Sequence, residues 1–264
     1  MSEHTCERQP LKCRGEHKTD WFAIRGVREK IAELPGALKS GLSVTQARRE
    51  FALGRDIDVA SRRPEKGGLA SREGQARLVH DLANIELQAM ELAVRTLHEF
   101  PDAPPQFRRE LAEIAEGECR HLRLCLDALE NLGFEWGHWA ARTSLWDTVG
   151  PGDSLIDRVV IVHRYLEGSG LDAGESILRR LAGVSAPAVR PAVETIVREE
   201  VDHVAFGSLW YRRLCEREGI DPERDFISRI EGLSRAIPRR EKIAAELRAC
   251  AGFTTAEIDA LSAA

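Results

Sequence analysis

The chain has 264 residues, of which 43% are apolar and 31% charged, and its net charge is −5. This length permits a sizeable buried core, and the charge gives no general attraction to nucleic acid or to anionic lipid. No apolar run approaches the length of a membrane span, and the polar start MSEHTCERQP does not resemble a secretion signal. We therefore expect a cytoplasmic protein with no membrane partner.

The six cysteines form no C-x-x-C pair. We interpret them as reduced thiols rather than as disulfides or zinc ligands. The missing C-x-x-C pairs also argue against an attached rubredoxin-type iron centre. A redox reaction would therefore need electrons from another molecule.

Residues 1–70 are predicted to form an N-terminal extension that is partly disordered and partly helical. The stretches FAIRGVREKIAEL and VTQARREFAL are amphipathic and predict two short helices, the second starting at a capping box of Ser43 and Gln46. The segment 54–70 contains a proline and a glycine pair and predicts a connecting arm.

Residues 71–219 predict four long amphipathic helices, and residues 220–264 predict a C-terminal helical extension that packs on them. The helices are expected at 72–99 after an N-cap at Ser71, at 106–131, from Asp153 or Ser154 onward, and at about 189–218. The aromatic and glycine-rich stretch 133–152 predicts a long crossover between the second and third helices. The fold class is therefore all-α, with the topology of a ferritin-like four-helix bundle.

Four short stretches within these helices carry the chemistry. Glu118 and His121 form one E-x-x-H motif, and Glu200 and His203 form another. Glu86 lies 32 residues before Glu118, and Glu167 lies 33 residues before Glu200. Residues three apart share one helix face. A glutamate from each of two helices and an E-x-x-H from each of the other two are the ligand set of di-iron and di-manganese bundles.

A third E-x-x-H motif shows that the motif alone is weak evidence. Glu135 and His138 have the same spacing but lie in the crossover, where no helix would hold their side chains together. The other two motifs lie on predicted buried stripes, each with a partner glutamate at a matched offset. The alternative is that these six residues form buried salt bridges, but no comparable set of lysines or arginines shares their faces.

Two further residues are candidates for supporting roles. His163 lies four residues before Glu167 on the same face and is a candidate partner or extra ligand, although a satisfied core histidine is the simpler interpretation. Trp210 lies seven residues beyond His203 and could line a substrate channel, although core packing is the simpler interpretation there too. Gly168 and Gly170 predict a local break just beyond Glu167.

The chain resembles an uncharacterised bacterial family of ferritin-like proteins in four stretches. They are IELQAMELA around Glu86, the motif at Glu118, Leu166-Glu167 followed by Gly170-Leu171-Asp172, and REEVDHVAFGS around Glu200. The resemblance covers about residue 62 to the segment at Phe253. A more distant similarity is to the bacterial tRNA isopentenyladenosine hydroxylase, a di-iron monooxygenase. These resemblances imply a metal centre and oxygen chemistry but do not name a substrate.

The leading functional hypothesis is an oxidoreductase, of monooxygenase or hydroxylase type, that activates O2 or peroxide at two iron ions. Manganese or a mixed pair of ions is also compatible with these ligands. Such a protein would act on an unknown small molecule or RNA, would need an external electron donor as a monooxygenase, and would be a monomer or dimer rather than a cage. One alternative is iron oxidation or peroxide scavenging without an organic substrate. Another is an RNA- or protein-binding helical module that uses basic residues at 61–66 and 235–242.

Overall fold

The structure, a computed structural model, describes residues 20–60, 68–238 and 241–264. In these ranges the chain is helical, and its β structure is limited to one isolated bridge between Val59 and Ala141. This confirms the all-α class. None of the described helices is long and apolar enough to cross a membrane.

Four long helical segments dominate the fold. They are α3 at Arg72–Glu99, α4 at Pro105–Asn131, a segment from Leu155 to Leu181, and α7 at Arg190–Glu218. The third segment consists of α5 at Leu155–Val159, a π-helical stretch at Val160–Leu166, and α6 at Glu167–Leu181. α3 packs against α4, α6 packs against α7, and α4 and α7 also contact each other.

Local signals set the ends of these helices close to the predicted positions. Ser71 caps α3 by accepting a hydrogen bond from the amide of Gly74, a type of cap that contributes about 1 kcal/mol. Ser154 forms a capping box with Asp157 at the start of α5. Gly219 ends α7 with a φ of 70°, a conformation that glycine adopts without strain. The predicted crossover is non-helical except for one 3-10 turn at Trp146–Thr148.

The N-terminal prediction was partly wrong. Helix α1 at Val27–Ala32 lies in the first predicted stretch, but α2 at Leu34–Ser43 was not predicted and residues 44–53 are not helical. Ser43 is the last residue of α2 and caps no following helix. Arg48 explains the extended path, because its amide bonds to the carbonyl of His98 and its guanidinium pairs with Asp20. These tertiary contacts outweigh a weak local helix propensity.

Residues 20–60 are joined to α3 by a buried charge cluster. Glu91 of α3 is fully buried and pairs with Lys30 at 2.7 Å and with Arg55. Lys30 also donates to the carbonyls of Phe22 and Gly54. The described part of the N-terminal segment is therefore tied to the helices that carry the candidate ligands. The predicted disorder of residues 1–20 falls almost entirely outside the described residues.

The described C-terminal residues form three helices, and buried ion pairs hold the last two. They are α8 at Pro222–Ala236, α9 at Ala245–Cys250 and α10 at Thr255–Ala263. Arg164 of the π-helical stretch pairs with Glu257 of α10 at 2.8 Å, and Arg248 of α9 pairs with Asp172 of α6 at 2.6 Å. The three-part division at residues 70 and 219 remains a prediction.

Candidate metal centre

The six candidate ligands are placed by four helical segments. Glu86 lies on α3, Glu118 and His121 on α4, Glu167 at the start of α6, and Glu200 and His203 on α7. All six side chains are buried or nearly so. Since carboxylates buried in an apolar core are costly, this group requires a compensating positive charge.

The two E-x-x-H motifs meet across the interface between α4 and α7. One ligand atom from each of Glu118, His121, Glu200 and His203 can be chosen so that all four lie within 4.8 Å of one another. The contacts cross between the helices. Nδ1 of His203 lies 2.8 Å from Oε1 of Glu118, and Nδ1 of His121 lies 3.1 Å from Oε1 of Glu200. The structure therefore contains a buried glutamate–histidine group that could hold a metal ion.

Glu86 and Glu167 lie beside this group. Oε2 of Glu86 is 3.6 Å from Nδ1 of His121, and both Glu86 and Glu167 line the cavity that Glu118 and Glu200 also line. The structure thus brings together all six candidate ligands, and the binding of ions by them stays a prediction.

Several polar atoms of the centre converge without bonding to one another. Nδ1 of His121 lies within 3.8 Å of oxygens of Glu86, Glu118 and Glu200, yet it is not in hydrogen-bonding geometry with any of them. Oε2 of Glu118 and Oε2 of Glu167 likewise have no hydrogen-bond partner in the part of the chain that is described. Because buried polar atoms are nearly always satisfied, this convergence fits atoms that surround a cation.

Electrostatic coupling sets the protonation of the metal-free centre. Burial raises the pKa of Glu86 well above its usual range and also raises the pKa of Glu167. Burial acts against charge on Glu118 as well, but the neighbouring His203 and His121 hold the pKa of Glu118 well below its usual range. Burial likewise opposes charge on His203, yet Glu118 and Glu200 raise the pKa of His203 to about 11. Protons on the two imidazoles thus supply the positive charge that the carboxylates require.

His163 and Glu199 support the ligands from outside. Nδ1 of the buried His163 lies 2.8 Å from Oε1 of Glu167, so His163 is a partner of that carboxylate. Oε2 of Glu199 lies 3.1 Å from Nε2 of His121, on the side of the ring opposite the centre. A carboxylate in this position fixes the tautomer and orientation of a ligand histidine. Glu199 was not predicted, because its only signal in the sequence is its position next to Glu200.

Other candidates take no part in the centre. The indole of Trp210 donates to Glu110 and packs against Phe107, which makes it a core residue. Glu135 and His138 lie in turns of the crossover, as the analysis of the third motif predicted. Cys119, Cys125, Cys215 and Cys250 are free thiols, and the remaining cysteines lie outside the described residues.

A helix irregularity was predicted just after Glu167, but in the structure it lies just before that residue. The π-helical stretch precedes Glu167, whose amide bonds to the carbonyl of Val162, and the chain then continues as regular helix through Gly168 and Gly170. Gly168 instead allows the guanidinium of Arg248 to lie close to the helix backbone, because a Cβ at this position would be 2.5 Å from that group. A π turn inserts one residue and so rotates the following side chains by about 100°.

These observations define an all-helical protein with a buried glutamate–histidine group that could hold a metal ion. The chain belongs to the family described as "Protein of unknown function (DUF455)", whose profile matches residues 25–259. It is also similar to a protein of Haemophilus influenzae with the name "Uncharacterized protein". The two are 28% identical over 209 residues, which cover 76% of this chain and 72% of the relative.

Gly117 provides a test of the geometry around His203. A Cβ at Gly117 would lie 2.5 Å from Nε2 of His203 and 2.8 Å from its Cε1, so Gly117→Ala is expected to push the imidazole out of place. We expect metal affinity to fall by at least about tenfold, the size seen when support of a ligand is lost. Isothermal titration with Fe(II) or Mn(II) under anaerobic conditions measures this change.

Gly232 of α8 is the matched control for this substitution. It is also a helical glycine, and a Cβ there would meet nothing within 4 Å. Gly232→Ala is expected to leave metal affinity unchanged and to stabilise the fold by up to about 1 kcal/mol. Equal metal affinity in the Gly117→Ala and Gly232→Ala variants would contradict the placement of His203 in the centre.

Proposed function

We propose that the chain is a ferritin-like four-helix bundle that holds two iron ions and acts as an oxidoreductase on an organic substrate. The observation that carries this proposal is the convergence of Glu86, Glu118, Glu167 and Glu200 with Nδ1 of two histidines at one buried place. Carboxylate and imidazole ligands in this ratio suit iron, and they also accept manganese.

The crossed contacts support a division of the ligands into two groups. Glu86, Glu118 and His121 would hold largely one ion, and Glu167, Glu200 and His203 the other. Glu118 lies nearest to the histidine of the opposite group, and Glu200 lies 3.2 Å from His203 and 3.1 Å from His121. In this division, either carboxylate would be within reach of both groups of ligands.

Bound iron would supply the electrons for reduction of O2 or peroxide. The chain contributes positioning and exclusion of water. Glu199 orients His121, and His163 holds Glu167 through a contact that can carry a proton. The buried surroundings of the centre keep bulk water from the carboxylates.

The cavity beside the centre supports an organic substrate over iron oxidation alone. Apart from the four glutamates, the residues that line it are aliphatic or glycine. An iron-handling site would gain nothing from this lining, since apolar surface does not attract ions. A small-molecule or RNA substrate, an external electron donor, a cytoplasmic location and a monomeric or dimeric state belong to the same proposal.

The RNA-binding alternative has less support. Arg235 is exposed but has Glu231 beside it on the same helix, and this negative charge weakens the attraction of that surface to phosphate. The other basic residues of that hypothesis lie partly at 61–67 and 239–240, outside the described residues.

Anaerobic loading with Fe(II), followed by exposure to O2, tests the proposed function. We expect about two iron ions per chain by metal analysis and a transient absorption change on oxygen exposure. Protein that binds no stoichiometric iron, or that shows no spectral response to oxygen, would overturn the proposal.

Metal binding is expected to release protons. The raised pKa values of His121 and His203 mean that both rings are protonated at neutral pH in the metal-free protein, whereas a ligand nitrogen must be deprotonated. Loading should therefore release at least about two protons per chain, one from each imidazole, and apparent affinity should rise with pH. Calorimetric titrations at one pH in buffers of different ionisation enthalpy count these protons. A binding enthalpy that is independent of the buffer would contradict the expectation.

A further inference from the structure

A buried cavity of about 100 Å³ adjoins the carboxylates of the candidate metal centre, and we call it the inner chamber. The four glutamates form one side of it. The rest of its lining is apolar and includes Leu92, Val162, Val193, Ile196 and Val197. Because an apolar cavity of roughly 150 Å³ admits benzene, the inner chamber has room for an apolar group of about four carbons.

A second cavity of about 340 Å³, the outer groove, continues from the inner chamber toward the surface. The residues that line both cavities form what we call the throat, and they are Leu82, Ile85, Leu145, Leu166, Gly170, Ala173 and Ile177. Beyond the throat, the described lining of the outer groove carries charges of both signs, from Arg77, Asp81, Asp172, Arg180 and Glu241. A lining of this kind suits the polar part of a ligand.

Two residues of the throat are loosely packed. Ile85 lies next to Glu86 on α3, and 40% of it is exposed. A Cβ on Gly170 would meet nothing within 4 Å, so the backbone of α6 leaves space at this point. A helix normally buries such an isoleucine, and glycine weakens a helix interior.

We propose that the substrate of this centre carries an uncharged aliphatic arm of about four carbons, which enters the inner chamber, on a polar body that stays in the outer groove. The inference rests on the proposed oxidoreductase function and specifies the substrate class of the same site. The four buried carboxylates disfavour an anionic group in the inner chamber, and its aliphatic lining disfavours a strongly hydrated group of either charge. They favour an arm whose burial is driven by the hydrophobic effect.

Fluorescent dansyl amides with alkyl arms of increasing length test the proposal. The probes are titrated anaerobically into Fe(II)-loaded protein. We expect about fourfold tighter binding for each added methylene, up to an arm of about four carbons, and no further gain beyond it. An oligoether arm of matched length should bind at least about tenfold more weakly. Affinity that does not depend on arm length, or an oligoether arm that binds as well, would overturn the proposal.

Closing the throat gives an independent readout. Gly170→Leu should reduce the affinity of the butyl probe by at least about tenfold while iron content stays at the wild-type level. Gly232→Leu is the matched control, since it also places a side chain in open space on a helix but at a residue that lines neither cavity. Ile85→Ser is a second variant at a partly exposed position and should weaken butyl binding severalfold. Wild-type affinity in both throat variants would overturn the proposal.

The same titrations are repeated on metal-free protein to separate the two hypotheses. Wild-type protein that takes up no iron would overturn the proposed function. In metal-free protein, probe affinity that rises with arm length would still support the inner chamber as an aliphatic site. Probe affinity that is independent of arm length would overturn it.

Discussion

Replacement of Glu118 by glutamine is expected to lower metal affinity by at least about 100-fold, beyond the usual effect of losing an outer partner. Glu118 contacts His203 at 2.8 Å and lies 3.8 Å from His121, so its charge serves both E-x-x-H motifs. If it bridges two ions, both are lost together. Glutamine has nearly the same shape as glutamate. A loss of metal affinity in this variant is therefore due to the missing negative charge and the lower basicity of the side chain.

Metal analysis and thermal unfolding together measure this effect. A ligand that binds only the folded state, present at a concentration 100 times its dissociation constant, stabilises that state by about 2.7 kcal/mol. Wild-type protein should therefore melt at a higher temperature with metal than without it, and Glu118→Gln should not. The matched control is Glu135→Gln, which alters the third E-x-x-H motif at an exposed position of the crossover. Metal-dependent stabilisation of Glu118→Gln equal to that of Glu135→Gln would exclude a role for Glu118 as a ligand.

The long helices could be predicted from the sequence because their signals are local. The expected helices at 72–99 and 106–131 match Arg72–Glu99 and Pro105–Asn131 to within one residue. Caps at Ser71 and Ser154 and a terminal Gly219 act through adjacent backbone groups. No distant contact is needed to explain them.

Residues 44–53 and the π-helical stretch could not be predicted in the same way. Arg48 holds the former in an extended path through contacts with Asp20 and His98, which are distant in sequence. Glycines after Glu167 suggested a break there, whereas the π turn lies before it and Gly168 makes room for Arg248. Both errors arise because an amphipathic pattern does not show which tertiary partner a segment meets.

The candidate ligands could be predicted because helical spacing fixes which side chains share a face. Glu86, Glu118, His121, Glu167, Glu200 and His203 were identified from offsets alone, and the structure brings them to one buried place. Three other features depend on how neighbouring helices face each other. They are the contact of Glu199 with His121, the close approach of Gly117 to His203, and the inner chamber. No spacing in a single sequence encodes those relations.

The buried pair of Asp172 and Arg248 shows how the C-terminal helices position the centre. Arg248 is completely buried, contacts Gly168 directly after Glu167, and donates to the carbonyl of Arg164. Asp172 accepts from Arg248 at 2.6 Å and from the amide of Ala244 at 2.8 Å. The pair therefore fixes α9 against the segment that places Glu167.

Asp172→Asn is expected to destabilise the protein by about 3–5 kcal/mol, because it leaves a buried guanidinium without its counter-charge. Urea unfolding of the metal-free protein measures the free energy of unfolding. The exposed pair of Arg235 and Glu231 supplies the control, since Glu231→Gln should change that free energy by no more than about 0.5 kcal/mol.

The double variant Asp172→Asn/Arg248→Met separates the charge from the packing. It removes the unpaired guanidinium and keeps an acceptor for the amide of Ala244, so it should recover about 2 kcal/mol of the loss. Recovery of stability without recovery of metal affinity would show that Arg248 also holds Glu167 in position. If the double variant is no more stable than Asp172→Asn, the cost comes from packing and the buried charge is not its cause.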